Sequence, residues 1–263
     1  MKKMTALTMD HVLFSGETIG EISILRFKKM PLLHVADLDA KAALFDYLEL
    51  ISSHDDIKVL VIKSAPVKME RTAYINFYKK LIASDDNLRP LELMYNAINQ
   101  FILQLADLNK IVIHVDRGNV ILLFMNIGLA CDYRIVADNT VYQNPNIEIN
   151  VVPKGGSVFY LSKMLGTLTA SKILLSREDI TAVQAQQMGF VDKVVPLEDL
   201  DQVALETAQV YAQLPSSYAI GIKKLLNYDL KELNHYLEFE NKLLRRQIRS
   251  CHLHNYGRLD GTL

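Results

Sequence analysis

The sequence predicts an α/β fold, with a mostly parallel sheet, crossover helices and a helical C-terminal region. Three observations carry this. Short β-rich runs alternate with stretches of helical periodicity, which implies crossover connections between parallel strands. Near residue 196 the pattern turns almost wholly helical, dividing the chain into an α/β core over 1–196 and a helical region over 197–263. Half of the 263 residues are hydrophobic, which suits one large core with an appendage better than two full domains.

The elements follow in order. Glu21–Arg26 alternates after Gly20 and reads as a strand. Leu38, Ala42, Phe45, Leu48 and Ile51 are spaced as a helix face, with Asp37 placed to cap it. Val59–Ile62 is a short buried strand, and Lys110–Val115 is another. Between them a helix over Leu91–Leu105 is entered after Pro90, with Leu91, Met94, Ile98, Ile102 and Leu105 on one face. After Gly118 the apolar run Val120–Ala130 reads as a turn and a helix, and Asp132–Val136 as a strand. Gly155-Gly156 precede a helix over Val158–Leu165 that Gly166 ends. Further helices are predicted over Thr169–Leu175, Ala182–Met188, Leu197–Gln213, Tyr218–Leu226 and Leu230–Ile248, with one strand, Val191–Val195, among them.

Composition excludes several classes. Lys plus Arg number 29 against 30 Asp plus Glu, so neither a basic nucleic-acid face nor a polybasic membrane patch is indicated. Cys131 and Cys251 lack CxxC partners, so no metal or redox motif is expected, and Cys131 sits in an apolar run as a buried thiol. Cys251, His252 and His254 have no second pair at metal-finger spacing. No leader pattern follows Lys2 and Lys3, and no uncharged apolar run reaches the roughly 18 residues of a spanning helix. A reducing cytoplasm is the expected location.

Three segments carry a family resemblance. Ala130-Cys131-Asp132-Tyr133-Arg134-Ile135, the turn-helix from Pro153 to Gly166, and the helix-turn-strand from Ile180 to Pro196 resemble the enoyl-CoA hydratase/isomerase (crotonase) family. The resemblance implies a crotonase-like (ββα)n superhelical core. It also implies C-terminal helices that pack at a trimer interface, giving a homotrimer or a hexamer of paired trimers, and the spacing of Leu233, Leu237, Glu240, Leu244 and Ile248 predicts an apolar stripe that a lone subunit would expose. Two backbone N–H groups would form an oxyanion hole for a thioester carbonyl, and carboxylates would move protons.

The positions matching that chemistry depart from it. Asn126 and Asn146 stand where the family has its two glutamates, and an amide neither delivers nor removes a proton near neutral pH. Arg71 and Leu123 fall on the two oxyanion donors, with Thr72 on a glycine and Tyr74 on an aspartate. Leu122, Leu123 and Phe124 replace three small residues, so the acyl pocket is either reshaped or filled with core. The Arg71 guanidinium could meet an anion or pair locally, with Glu70 adjacent. Arg26, Lys28 and Lys29, and Lys223 or Lys224, match positions that meet CoA, Lys224 being the favoured contact of the last two. Tyr256-Gly257 replaces an E-G pair, and the family's clamping extension is absent. Lys154 occupies a family glycine, and Gly155-Gly156 could cradle a phosphate.

Two functions remain open at this point. One is a binding or structural subunit without hydratase activity. The other is an enzyme acting on an acyl-CoA or acyl-carrier thioester, as isomerase, lyase or decarboxylase, with Glu148, Glu70 or Tyr74 in place of the family acids. No cofactor beyond a CoA thioester ligand is implied.

Overall fold

The computed structural model describes residues 7–28, 38–66, 68–83 and 88–256. A hairpin opens it: β1 (Met9–Asp10), β2 (Phe14–Ile19) and β3 (Ile22–Phe27), paired antiparallel. Then come α1 (Leu38–Ser53), β4 (Val59–Lys63), α2 (Arg71–Ala83), α3 (Arg89–Asp107) and β5 (Ile111–Asp116). The expected cap Asp37 lies outside the described residues. β3, β4 and β5 are parallel neighbours, as the alternation of strands and helices requires.

The ββα repetition begins at β5. It continues through β6 (Asn119–Ile121) into α4 (Leu122–Leu129), then β7 (Tyr133–Ala137), β8 (Val141–Gln143) and α5 (Ser157–Leu175). β9 (Ile180–Thr181), α6 (Ala182–Met188) and β10 (Lys193–Val195) follow. Each turn gives one strand to a seven-stranded sheet, ordered β1-β2-β3-β4-β5-β7-β10, and one to a three-stranded sheet, ordered β6-β8-β9. This is the crotonase-like α/β architecture the sequence predicts.

Strand alternation divides the core. Val59 and Val61 of β4, with Ile111, Ile113 and Val115 of β5, face α7 (Leu200–Ala212), whose Ala204, Ala208 and Ala212 let it approach the sheet closely. Leu60, Ile62 and Val112 face the larger core, and by the same alternation His114 and Asp116 do too. α8 (Ser216–Leu226) and α9 (Leu230–Tyr256) complete the chain.

Two expectations change. The α9 stripe of Leu233, Leu237, Leu244 and Ile248 is no exposed seam: all four residues are buried in the chain's own core, where α9 packs on α2 and α3. The stripe therefore gives no reason for assembly. The segment from Val61 to Tyr78, which the resemblance makes a strand followed by a loop, instead enters helix α2 at Arg71, and Tyr74 and Tyr78 are buried there.

Among the described residues, α5 alone is long and apolar enough to cross a membrane by length and composition. It is broken at Gly166, where φ is 76° and ψ 158°. Each half spans only about 14 Å, less than half of a bilayer core.

Candidate functional site

Gly118 turns the chain with φ 64°, and β6 leads directly into α4. Every residue of α4 is buried, including Leu122, Leu123 and Phe124, because the helix is wedged among β5, β6, β7 and α5. The Leu123 N–H lies in the first turn, where amides lack intrahelical acceptors and no side chain caps them. A backbone donor thus persists, but the cavity that Phe124 lines holds only about 20 Å3, space for a single water.

Asn126 is fully buried. Its Nδ2 donates to the Lys154 carbonyl at 2.7 Å and the Ser157 hydroxyl at 2.6 Å, tying α4 to the start of α5. Asn146 sits in the 3-10 turn Pro145–Ile147, donates to the Val152 carbonyl at 3.4 Å, and lies beside Tyr74. Its Oδ1 and the Oδ1 of Asn126 have no partner. Tyr74, Tyr78 and Tyr95 stand together behind these amides, the first two rings 4.9 Å apart, and the hydroxyls of Tyr78 and Tyr95 at 3.5 Å. Burial pushes all three phenols above their ordinary range, so none is a base near neutral pH.

A buried ion pair lies next to this group. Lys154, fully buried, reaches Glu240 of α9 at 2.8 Å, also bonds Asn99, and lies 5.8 Å from the Tyr95 ring centre. Glu240 in turn accepts from the N–H groups of Gly155 at 2.7 Å and Gly156 at 3.0 Å. The two-glycine cradle considered for a phosphate thus holds the chain's own carboxylate. The pair is missed by motif matching, although an acid within the apolar stripe of α9 was its signal.

Arg71 opens α2. Its guanidinium meets Glu148 at 2.6 Å and Asp179 at 3.0 Å, and Gln143 holds Asp179 at 2.9 Å. The local pairing is with these two acids, which hold the guanidinium protonated. Glu148 is therefore committed to an ion pair.

The CoA-matching residues do not converge. Arg26 and Lys28 line a cleft of about 300 Å3 at the C-terminal ends of β3, β4 and β5, with Lys63, Asp116, Arg117 and Asp201. Within it Arg26 pairs with Glu17 at 2.7 Å, Lys28 with Asp10, and Lys63 with Asp201 at 2.7 Å. Ligands of open parallel sheets bind beyond the carboxyl ends of the strands, as this cleft would require. The α8 lysines stand at the opposite end. Lys223 is buried and donates to the Lys110 carbonyl, just before β5, and to Asp132 at 2.8 Å. Lys224 is exposed on the same helix. Lys29, Gly257 and the side chains of Cys251, His252 and His254 lie outside the described residues. Among the described residues no group of three His, Cys, Asp or Glu is placed to hold a metal.

Comparison with known proteins settles the family. The enoyl-CoA hydratase/isomerase family model matches residues 84–257. The chain belongs to the enoyl-CoA hydratase/isomerase family. A mitochondrial protein of Dictyostelium discoideum, described as a probable enoyl-CoA hydratase, is 28% identical over 150 residues, 55% of this chain and 54% of that protein. The 2,3-dehydroadipyl-CoA hydratase of Escherichia coli K12 is 33% identical over 110 residues, 42% of this chain and 43% of that one. The matches to these curated relatives thus span about half of their length. In fold, the chain is similar to the crystal structure of enoyl-CoA hydratase from Bacillus halodurans, with TM-score 0.78 at 15% identity over 90% of this chain and 95% of that one. Pseudomonas aeruginosa DspI is similar with TM-score 0.71 at 20% identity, over 89% and 93%. At these identities the likeness is one of fold.

Proposed function

We propose that this enoyl-CoA hydratase/isomerase family protein lacks hydratase activity and serves as a binding or structural subunit. The observation that carries the reading is the fate of Asn126. The side chain at a family acid position is fully buried and spends its amide hydrogens on Lys154 and Ser157. Hydration needs a base for the water and an acid for the carbon, and amides at both positions remove general acid–base help worth roughly 100- to 10,000-fold. The leucines and the phenylalanine of α4 support the same reading by filling the acyl side. Of the alternative residues, Glu148 is paired with Arg71 and Tyr74 is buried with a raised pKa, so neither takes the place of the family acids.

The ligand this role calls for is the CoA part of an acyl-CoA or acyl-carrier thioester, with phosphates at Arg26 and Lys28. Lys224, on the helix whose Lys223 packs at the other end of the sheet, is not assigned to that contact. A homotrimer, or a hexamer built from it, is the assembly proposed. Its support is now the exposed Leu225, Leu226 and Tyr228 at the end of α8, and Leu168 and Leu175 on α5. Location in the cytoplasm fits this role.

The test pairs two measurements on the purified chain. Crotonyl-CoA hydration is expected to be undetectable, while calorimetry with CoA and several acyl-CoA esters reports binding that weakens when Arg26 and Lys28 become alanine. Robust turnover would overturn the loss of hydratase activity. CoA binding unchanged in the Arg26→Ala/Lys28→Ala variant would overturn the ligand assignment.

A further inference from the structure

The cleft at the C-terminal ends of β3, β4 and β5 holds a carboxylate among its own cations. Arg26, Lys28, Lys63 and Arg117 line it, together with two acids, Asp116 and Asp201. Asp116 is matched by Lys68, from outside the lining. Arg26 and Lys28 pair with Glu17 and Asp10, acids of the opening hairpin that also lie outside it. Arg117 is exposed, and its charge bears on Asp201. Of the two lining acids, Asp201 alone is paired with cations that line the cleft themselves.

The two ends of that pairing differ in burial. The side chain of Lys63, the last residue of β4, is 11% exposed, and that of Asp201, in the first turn of α7, is 72% exposed. One Asp201 oxygen lies 2.7 Å from the Lys63 ammonium, and the other lies 3.9 Å from the Arg26 guanidinium. Among the described residues Asp201 is the only partner of that ammonium. A nearly buried ammonium is costly without a counter-charge. An exposed carboxylate is easily exchanged, because it returns to water when it lets go. Burial acts to raise the Asp201 carboxyl, but the bond to Lys63 and the charges of Lys63, Arg26 and Arg117 outweigh it and hold it below its usual range.

The two carboxylate oxygens therefore mark where phosphate oxygens would sit, within reach of both cations. A phosphate offers the same kind of acceptor, and a terminal one carries more charge. We infer that Lys63 is a phosphate anchor of this cleft and that Asp201 occupies it in the free protein, an autoinhibitory contact that a ligand phosphate displaces. This rests on the reading of the cleft as the place of a thioester's phosphates, and adds to it an anchor and an internal competitor.

The experiment titrates the full chain with CoA and, separately, with inorganic pyrophosphate, by calorimetry in a phosphate-free buffer at fixed ionic strength. Asp201→Asn keeps an acceptor for Lys63 and removes the competing charge. It should tighten both ligands by about 5- to 10-fold, the worth of one unit charge at about 4 Å in a water-exposed site. Asp199→Asn removes the same charge from an exposed residue outside the lining, and should change either affinity less than about twofold because salt screens it. Adding Lys63→Met to Asp201→Asn should abolish the gain. That double variant leaves no buried ion unpaired, so it is expected to fold. If Asp201→Asn binds neither ligand more tightly than the wild type while CoA still binds, the inference is overturned and the CoA reading stands. Tighter pyrophosphate in Asp201→Asn without CoA binding supports the inference and overturns the CoA reading. An equal gain in Asp199→Asn, a gain that survives Lys63→Met, or no binding of either ligand by any variant overturns the inference.

Discussion

A Cβ added at Gly128 would lie 2.8 Å from Nδ1 of His114, closer than real side chains approach. Helix propensity alone favours alanine over glycine by about 1 kcal/mol at an interior position of α4. The contact opposes this, because His114 is a buried residue of a central strand whose ring must shift before a methyl group fits. Overpacking typically costs about 1–3 kcal/mol and outweighs the propensity. Gly128→Ala is therefore expected to lower the urea midpoint, and an unchanged or raised midpoint would show that the ring yields. Asn126 makes the complementary case. Asn126→Asp replaces a donor with a carboxylate that faces the Lys154 carbonyl, so two acceptors meet in a site with no exposure. Losing that buried bond costs about 1–3 kcal/mol, and more for a charged group. The variant should be less stable at pH 7, recover partly at a pH low enough to protonate the new carboxyl, and gain no hydration of crotonyl-CoA. Full stability at pH 7, measured by denaturant titration, would show that the side chain turns to another partner.

At the scale of elements, α9 is fastened to the core by one internal charge pair as well as by its leucines. Glu240 accepts from Lys154 and from the N–H groups of Gly155 and Gly156 ahead of α5, so the last helix caps an earlier one. Removing one member of a buried pair leaves the other uncompensated and costs about 3–5 kcal/mol. Lys154→Met is expected to lose that much, and Lys154→Met with Glu240→Gln to recover most of it, because glutamine can still accept from the glycines. A double variant as unstable as the single one in the same denaturant series would mean that the lysine's packing, and not its charge, is what matters. The long elements were legible in the sequence: α3 from five apolar residues on one face, and α6 with its bounds at Ala182 and Met188. Helix α2 was not, because its apolar residues are interrupted by Asn76 and two lysines, Lys79 and Lys80, and its tyrosines bury their rings only once α9 covers them. Strands of two or three residues, such as β6, β8 and β9, carry too little periodicity to be read. The site was legible at Asn126 and Asn146 as residue types. The places of Glu240 and Lys223 were not, since each partner is more than 80 residues away in the chain.

At the scale of the whole molecule, one titration couples the central sheet to pH. His114 and Asp116 project from alternate positions of β5 to the same face, where Lys68 bonds Asp116. Burial dominates at the imidazole and pushes His114 down to about 4 from 6.5, with the charge of Asp116 resisting and those of Lys68 and Arg134 adding to the drop. For Asp116 burial acts to raise the carboxyl, but the Lys68 ammonium and His114 outweigh it and hold it below its usual range. Between pH 6.5 and about 4 the unfolded chain binds a proton at residue 114 that the folded chain refuses, so stability falls as pH falls through that window. The full effect is on the order of 3 kcal/mol as an upper bound, developed by the time the pH reaches the folded value. Asp116, held below its usual range, contributes its stability in full above the unfolded carboxyl's pKa and loses it only as pH falls from there toward the folded value, because in that window the unfolded chain takes up a proton that the folded chain refuses. The two contributions therefore separate by pH. Urea midpoints from pH 8 to 3 should show wild-type stability declining below pH 6.5, and His114→Gln should remove most of the decline between pH 6.5 and 4.5 while leaving the drop below about pH 4 in place. If the variant declined as steeply as the wild type between pH 6.5 and 4.5, the imidazole would be titrating at its ordinary value, and the strand would not be the acid-sensitive element.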